Sequence, residues 1–401
     1  MTSCEIQRAP EAQSRISGRM RDLIFVSLEN WDDVWRRNQF ICAALVRRFP
    51  DIKILFVGLP LNISHNLRHG NLLGSENKGT RRLPDFPNIT VTHALKLFPD
   101  SLAAGRCFNE GMARRHVRRV ARGLGVSDPI LWLNPHSAVH MAGAMKERAV
   151  IYDITDDWAM APSFSDRDRE LIIEQDRALC RRADLVIVCS EALETSRRGR
   201  CKQLLLLPNG VDHERYAGIP DATGRGRWPR PVFGYTGTLH GDRFDVDLAA
   251  GVASAFPEGS VVLVGPDHLT GAEKQKLAAC SNIHINGPVP YPKIPEIMAH
   301  FDVCIVPHVE SKFTNSLNPL KLWEYLASGK PVVSTNVAGF SDYPQFCRIA
   351  SGADPFVREC RAALQENGAQ RAARREEARK HSWDQRVDAL LDTLSSQGLT
   401  K

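Results

Sequence analysis

The feature that most constrains the fold is a series of twelve short apolar runs, each separated from the next by a longer amphipathic stretch. The runs lie at 23–27, 52–57, 89–92, 130–133, 149–152, 185–189, 204–207, 232–235, 261–264, 283–285, 303–306 and 331–334. Continuous apolar runs of this length are typical of parallel strands that helices cover on both faces. Because twelve strands are too many for one ordinary open sheet, the pattern predicts an α/β protein with two doubly wound, Rossmann-like domains.

The boundary between the two domains is predicted at the Pro-Asn-Gly sequence at 208–210, which separates the seventh run from the eighth. The predicted units are an N-terminal domain at 18–207, a second domain at 208–375 and a C-terminal helix at 376–398. That last segment has an apolar stripe at helical spacing, which must pack against another element. The stripe consists of Trp383, Val387, Leu390, Leu391 and Leu394.

Composition excludes several other classes of protein. The net charge of +6 is too small to indicate a nucleic-acid-binding chain, although it is compatible with an anionic substrate or membrane surface. No apolar run approaches the roughly 18 residues that a membrane-spanning helix needs. The first 20 residues are polar and lack the apolar core of a secretory signal. The ten cysteines show no Cys-x-x-Cys or zinc-ligand spacing, so we predict a cytoplasmic protein with reduced thiols.

Residues that follow the strands of the second domain are candidates for ligand binding, because ligands of open α/β sheets bind beyond the carboxyl ends of the strands. Thr236, Gly237 and Thr238 follow the run at 232–235, and their small side chains let the backbone approach a ligand closely. Three residues after later strands are candidates for the same reason: Gly265, Val289 and His308. The alternative is that these positions are tight strand-to-helix turns without a ligand.

The densest signal is the segment at 318–331, which predicts a short helix. Asn318 is expected to cap this helix, with Pro319 in its first turn, and Gly329 and Pro331 are expected to end it.

Two charged residues share one face of this helix. Lys321 lies in the first turn, where a cation is unfavourable unless an anion is close, and Glu324 is three residues further on. A diphosphate between Lys321 and the free N–H groups around Asn318 and Leu320 would resolve the conflict. Glu324 could then accept hydrogen bonds from a ribose diol. The alternative is an exposed Lys–Glu pair on a surface helix.

These residues resemble a known family. The segment at 318–333 resembles the nucleotide-sugar helix of GT-B glycosyltransferases of the family-4-like group. Further likeness lies at 182–190, 207–212, 287–302 and 382–383, and the resemblance extends over about 18–395. It implies a GT-B fold with a nucleotide-sugar donor bound by the C-terminal domain and an acceptor bound by the N-terminal domain. It also implies that the final helix crosses back onto the N-terminal domain.

The N-terminal half is similar, at 31–39 and 152–158, to bacterial glycosyltransferases of polysaccharide and teichuronic-acid-type pathways. It is more distantly similar to the glucuronosyltransferase of xanthan assembly. This likeness implies that Lys321 binds the diphosphate, that Glu324 binds the ribose and that His308 contacts the nucleotide. It also implies that Asp156 is the general base.

Two departures from the family pattern bear on mechanism. Ser316 stands where the first Glu of the usual Glu-x7-Glu motif is expected, and Leu-Glu-Asn-Trp at 28–31 replaces the usual Gly-Gly loop. Because the first Glu is linked to retaining chemistry, its replacement favours inversion. An inverting enzyme needs a base, and Asp156 follows a strand and should face the cleft. The alternatives are Asp153, Asp157 or a purely structural helix cap.

The N-terminal side of the cleft also offers candidates for acceptor binding. Trp35, Arg36 and Asn38 begin the first predicted helix, at 35–48, and are expected to point toward the cleft. His136 follows the run at 130–133 and is expected there for the same reason. A solvated helix end and a structural histidine are the respective alternatives.

The segment at 106–122 predicts a basic amphipathic helix, which is typical of a contact with an anionic membrane or ligand. The arginines expected to face a membrane are Arg114, Arg115, Arg118 and Arg119. A lipid-linked acceptor and a peripheral location at the inner face of the cell membrane would agree with this surface. The alternative is an ordinary solvated arginine face.

The sequence therefore predicts a glycosyltransferase that moves a sugar from a UDP-, GDP- or TDP-linked donor to a glycan acceptor in cell-surface polysaccharide synthesis. We expect the transfer to invert the anomeric centre. We also expect no metal or other cofactor, because the Asp-x-Asp sequences at 166–168 and 245–247 lie at predicted helix starts. The alternatives are a catalytically inactive GT-B subunit that binds a partner and a sugar-nucleotide epimerase. A Rossmann dehydrogenase is disfavoured because no Gly-x-Gly-x-x-Gly follows the first strand.

Overall fold

The computed structural model describes residues 20–62, 79–100, 102–219 and 226–399. Its N-terminal part forms an eight-stranded sheet in which every neighbouring pair is parallel except one antiparallel pair at the edge. In spatial order, the strands are Arg81–Arg82, Ile89–Lys96, Ile54–Asn62, Leu23–Val26, Ile130–Leu133, Ala149–Ile154, Leu185–Val188 and Leu204–Leu206.

The C-terminal part forms a six-stranded, fully parallel sheet. In spatial order, its strands are Ile283–Ile285, Ser260–Val264, Val232–Thr236, Val303–Val306, Val332–Ser334 and Arg348–Ile349. In both sheets the chain winds outward in two directions from the first strand, which creates the switch in strand order where α/β proteins bind ligands. The predicted class of two doubly wound sheets is confirmed, and every predicted run contains a strand.

Helices cover both sheets, so the central strands are buried. The α-helices are Arg37–Arg48, Ala103–Gly123, Asp166–Arg182, Glu191–Arg197, His213–Ala217, Val246–Ala255, Gly271–Ala278, Ile294–Met298, Leu320–Ser328, Ala353–Ala363, Gly368–Arg379 and Trp383–Ser396. Short 3-10 helices lie at His136–Met141, Trp158–Met160, Tyr291–Lys293 and Thr314–Ser316. Within the described ranges, no helix combines the length and the apolar character needed to cross a bilayer.

The last helix, Trp383–Ser396, follows the C-terminal sheet in sequence but packs on the N-terminal domain. We call it the crossing helix. Its apolar stripe lies in one core with the first helix, Arg37–Arg48, and the Trp383 ring stacks on Phe40 with centroids 4.9 Å apart. Arg48 also forms an ion pair with Asp388. The predicted stripe thus has its packing partner, and Ser382 caps the start of the helix by accepting from Gln385 N.

Some local predictions were wrong. Asn318 does not cap the helix Leu320–Ser328, which we call the Lys321 helix, because Pro319 occupies the cap position and the Asn318 side chain binds Asn209 instead. The first helix begins at Arg37, with Arg36 at its cap. The Lys321 helix ends at Gly329, which has φ +76°, and this end agrees with the prediction. The domain boundaries stay predictions, and residues 1–19 lie outside the described part.

Candidate active site

A cavity of about 350 Å³ lies between the two sheets, at the carboxyl ends of their strands. The N-terminal domain contributes lining residues from 29–38, 134 and 155–158, and Asn209 comes from the connection between the domains. The C-terminal domain contributes residues from 236–243, 264–266, 288–294, 308 and 317–324. The cleft therefore forms where the topology predicts a ligand.

Lys321 lies at the centre of the C-terminal wall. Its ammonium donates to the Tyr235 hydroxyl at 2.7 Å, lies 3.4 Å from His308 Nε2 and sits 4.0 Å from the centre of the Tyr235 ring. Burial, together with the charge of Arg243, lowers the pKa of Lys321 well below its usual range. Burial and the same two cations lower the pKa of His308, which is therefore neutral at pH 7.

Arg243, which the sequence analysis missed, adds a second cation to this wall. Its Nε has no hydrogen-bond partner within the described residues, and its guanidinium carbon lies 5.5 Å from the centre of the Phe313 ring. Arg243 lies seven residues after the end of the strand Val232–Thr236, beyond the candidate residues at 236–238. Lys321 and Arg243 thus face one cavity, and within the described chain neither is paired with a carboxylate. Such an arrangement favours an anionic ligand.

Two glycines let the turns beside Lys321 approach each other. Gly237 has φ +142°, and a Cβ there would lie 2.6 Å from Lys321 Nζ. A Cβ on Gly265, at φ +144°, would lie 2.2 Å from the Gly237 carbonyl oxygen. Only glycine fits both positions, as close approach of backbone to a ligand requires. Five further candidate residues also line the cavity: Thr236, Thr238, Val289, Asn318 and Leu320.

Glu324 lies one turn beyond Lys321 on the same wall of the cavity. Its Oε1 accepts a hydrogen bond from the Tyr216 hydroxyl at 3.0 Å. Burial raises the pKa of Glu324 to about 7, against the opposing effects of Tyr216 and Lys321. The ionised form of this carboxyl group could accept hydrogen bonds from a diol, and burial disfavours that form in the free protein.

Asp156 faces this cationic wall from the N-terminal domain. It lines the cavity and accepts a hydrogen bond from the Thr155 hydroxyl at 3.2 Å. Burial raises the pKa of Asp156, while Arg243 lowers it. The two alternative bases are engaged elsewhere, since Asp153 pairs with Arg37 at 3.1 Å and Asp157 with Arg197 at 3.5 Å. Asp156 is therefore the best placed of the three to take a proton.

Glu29 is a second carboxyl group on the N-terminal side of the cavity, and the sequence analysis did not assign it a role. It lines the cavity where the family's Gly-Gly loop is replaced, and its Oε1 lies 3.5 Å from Arg36 Nε. Burial, assisted by Asp156, raises the pKa of Glu29 to about 7 against the opposing charge of Arg36. The sequence did contain a signal for Glu29, because Leu-Glu-Asn-Trp at 28–31 places a carboxylate where the family pattern has two glycines.

The structure brings three of the four acceptor candidates to the cavity: Trp35, Arg36 and Asn38. Trp35 also stacks on Tyr291 of the other domain, with ring centroids 5.8 Å apart. His136 is not among the lining residues. It begins a 3-10 helix, and its Nδ1 lies 2.8 Å from Gln175 Oε1, so the histidine is held beside the helix Asp166–Arg182.

The two Asp-x-Asp sequences lie at helix starts, as predicted. Asp245 caps the helix Val246–Ala255 by accepting from Leu248 N at 2.9 Å, and Ser165 caps the helix that begins at Asp166. Across the described residues, no group of three metal-ligating side chains is found. The expectation that the protein needs no metal stays a prediction.

The segment at 106–122 lies in the helix Ala103–Gly123, which we call the basic helix. Its core face consists of small or apolar residues with one asparagine. Arg115, Arg118 and Arg119 are exposed, whereas Arg114 is half-buried and lies 3.9 Å from Glu110. The exposed arginines therefore form one continuous face.

Comparison with solved structures identifies the class of this architecture. Sucrose-phosphate synthase from Thermosynechococcus elongatus superimposes with a TM-score of 0.71 over 94% of this chain and 98% of its own, at 16% identity. HepE from Anabaena, in complex with UDP-glucose, superimposes with a TM-score of 0.65 over 94% of this chain and 99% of its own, at 17% identity. The chain therefore has the GT-B fold, as the resemblance implied.

Sequence comparison gives a more specific relationship. Residues 230–363, which include the Lys321 helix, match the family described as Glycosyl transferases group 1. The chain is also 30% identical over 256 residues to a teichuronic acid biosynthesis glycosyltransferase, TuaH, of Bacillus subtilis (strain 168). That match covers 59% of this chain and 64% of the relative, which is less than two thirds of its length. The predicted resemblance to GT-B glycosyltransferases of polysaccharide pathways is confirmed.

Proposed function

We propose that this protein is a glycosyltransferase that transfers a sugar from a nucleoside diphosphate sugar to a glycan acceptor of a cell-surface polysaccharide. One observation carries the proposal. Lys321, in the first turn of its helix, and Arg243 form no salt bridge with a carboxylate of the described chain, and both line the cavity that Asp156 lines from the other domain. A leaving diphosphate needs the cations, and an acceptor hydroxyl needs the carboxylate.

The proposed reaction is inverting. Asp156 takes the proton of the acceptor hydroxyl, whose oxygen forms a bond to the anomeric carbon while the bond from that carbon to the diphosphate breaks. The electron pair of the broken bond leaves with the diphosphate, beside Lys321, Arg243 and the start of the Lys321 helix. Ser316 supports inversion, because its buried hydroxyl donates to the Phe313 carbonyl at 2.7 Å and supplies no carboxylate to the sugar.

We propose that the reaction requires no metal, because two protein cations supply the positive charge that stabilises the leaving group. The donor nucleotide is proposed to be a uridine diphosphate derivative, since HepE is described in complex with UDP-glucose. Glu324 would accept from the ribose diol, and His308 would contact the nucleotide from the same wall.

The experiment is a nucleotide panel followed by a turnover assay on the full chain. Thermal shift with UDP, GDP and TDP should give a stabilisation of a few kcal/mol at saturating UDP. Incubation with UDP-glucose and related donors, with and without EDTA, should then release UDP at equal rates. Donor conversion to an epimer would instead indicate the epimerase alternative. UDP binding without any release would indicate an inactive subunit, and a lack of response to every nucleotide would contradict the proposal.

The acceptor is proposed to be lipid-linked and presented at an anionic membrane. Three large apolar side chains are exposed at the start of the basic helix: Phe98 before it, Leu102 at its cap and Phe108 within it. The rings of Phe98 and Phe108 touch edge to face at 5.3 Å. Arginines beside exposed apolar side chains are typical of a peripheral membrane contact. The protein would then work at the inner face of the cell membrane.

Neutralising two arginines of this face tests the membrane contact. The double change Arg118→Gln with Arg119→Gln is expected to weaken sedimentation with phosphatidylglycerol vesicles about thirtyfold at low salt, since each cation contributes about 1 kcal/mol near such a surface. The matched control is Arg167→Gln with Arg177→Gln, two exposed arginines on the helix Asp166–Arg182. Equal losses in both pairs, or no binding by the unaltered protein, would contradict the membrane contact.

A further inference from the structure

Asn209 lies in the connection between the two sheets, and each of its four polar groups is engaged. Its Oδ1 accepts from Arg37 Nη1 at 3.1 Å, and its Nδ2 donates to the Asn318 carbonyl at 2.5 Å. Its backbone N–H donates to Asn318 Oδ1 at 2.8 Å, and its carbonyl accepts from Arg386 Nε at 3.3 Å. One buried residue thus contacts the N-terminal domain, the segment that leads into the Lys321 helix and the crossing helix.

The partner on the N-terminal side is a buried ion pair. Arg37, the first residue of its helix, grips both carboxylate oxygens of Asp153, at 3.1 and 3.2 Å. Arg37 is 3% exposed and Asp153 is fully buried. A buried ion pair is stable only when further hydrogen bonds satisfy its remaining groups, and Asn209 Oδ1 supplies one. The ion pair is therefore a rigid anchor.

The partner on the C-terminal side is Asn318, which lies two residues before the first residue of the Lys321 helix. The reciprocal bonds between Asn209 and Asn318 fix both the side chain and the backbone at this point. Pro319 follows at the cap position, and a Cβ on Gly339 would lie 2.7 Å from its ring. The start of the helix consequently has little freedom to move relative to Asn209.

We propose that Asn209 is a positioning residue that fixes the start of the Lys321 helix against the Arg37–Asp153 ion pair of the other domain. The inference rests on the proposed function, because it assigns to this helix the binding of the leaving diphosphate. It goes further by making nucleotide affinity depend on residues across the domain junction. Because both polar side-chain atoms of Asn209 are bound within the protein, its effect on the nucleotide is exerted through Asn318 and the helix.

The effect of such a link is geometric. The Lys321 helix carries Lys321, one of the two cations of the site. On the other side, Asp156 follows the end of the strand that contains Asp153. A displacement of about 1 Å between reacting groups costs about a hundredfold in rate. A tie that runs from Asp153 through Arg37 and Asn209 to Asn318 holds the two sides of the site in register.

The test is calorimetric titration of the purified full chain with UDP. Asn209→Ala is expected to raise the Kd for UDP about tenfold, since it removes bonds to both domains. Asn209→Asp retains an acceptor for Arg37 but has no side-chain N–H to donate to Asn318, and should be impaired to a similar degree. The matched control is Asn109→Ala, because Asn109 is equally buried but bonds only locally, to 97–100. Its Kd should stay within about twofold of the unaltered protein.

A double-variant cycle separates positioning from a general loss of stability. Arg37→Lys as a single change should weaken UDP binding. Added to Asn209→Ala it should have little further effect, because the contacts from Arg37 through Asn209 to Asn318 are already lost. Additive effects of the two changes, or an unchanged Kd for UDP in Asn209→Ala and Asn209→Asp, would overturn this inference but leave the proposed function intact. If Asn209→Ala fails to fold, Asn209→Asp decides. If the unaltered protein binds none of UDP, GDP and TDP, the proposed function fails and the inference fails with it.

Discussion

Replacing Asp156 with asparagine is expected to lower kcat for sugar transfer about a thousandfold, within the range of general base catalysis. Asparagine keeps the size and the hydrogen bond from Thr155 but cannot take a proton from the acceptor. Because Asp156 does not bind the nucleotide in the proposed site, the Kd for UDP should stay within about twofold. The loss should therefore be confined to the chemical step, which steady-state kinetics and UDP titration resolve together.

The matched control for this change is Asp157→Asn. Asp157 is the next residue along the chain, but its carboxylate lies 3.5 Å from Arg197, and the pair is largely buried. Asp157→Asn should lower the melting temperature while leaving kcat of the folded enzyme nearly unchanged. Full activity of Asp156→Asn would refute its role as base. A thousandfold loss in Glu29→Gln without one in Asp156→Asn would assign the proton transfer to Glu29 instead.

Replacing Lys321 with methionine is expected to weaken UDP binding about a hundredfold, because it removes a charge-assisted hydrogen bond of about 3 kcal/mol. Methionine retains the length and apolar stem, so the wall of the cavity stays packed. The matched control is Lys330→Met, which alters a buried lysine just beyond the other end of the same helix. Lys330 donates to the Ala299 carbonyl at 3.3 Å, away from the cavity, and its replacement should leave the Kd for UDP within about twofold.

The pH dependence of UDP affinity gives a signature of the same site. Burial and Arg243 lower the pKa of free Lys321, and a bound diphosphate raises it, so binding takes up a proton between these two values. Affinity should therefore fall as the pH rises through that interval. Burial raises the pKa of free Glu324 to about 7, and ribose hydroxyls favour its anion, so affinity should also fall as the pH drops below about 7.

Variants separate the two limbs of this profile. Lys321→Met should abolish the alkaline limb and leave the acid limb, whereas Glu324→Gln should weaken the acid limb and leave the alkaline one. The ionisation of UDP itself is common to all variants and sets the residual slope. A Lys321→Met profile identical to that of the unaltered protein would contradict contact between Lys321 and the diphosphate.

The strands of both sheets could be predicted because buried parallel strands are continuous apolar runs, and that pattern is local. The strand Arg348–Ile349 shows the limit, since it is two residues long and carries a charged side chain. Part of the C-terminal wall of the site was also predictable, because Asn318, Lys321 and Glu324 lie within seven residues of each other along the chain. One short helix and the residues that flank it form a contiguous signal in the sequence.

The remaining parts of the site depend on contacts that no local pattern encodes. Asp153 and Asp156 look equivalent in the sequence, and only the contact of Asp153 with Arg37, 116 residues away, distinguishes them. The cap predicted at Asn318 failed for the same reason, since Asn209, 109 residues away, binds its side chain. His136 follows a strand as Asp156 does, but Gln175 holds it outside the cavity.

The crossing helix has a consequence for the order in which the molecule is completed. Residues 383–396 supply part of the core around the first helix, yet a ribosome makes them after every strand of both sheets. The N-terminal domain emerges first with part of the apolar surface around its first helix uncovered, and that part is covered only when the chain beyond the second sheet has been made. Final closure of the first domain therefore waits for nearly the whole chain, and a nascent protein cannot finish its two halves independently.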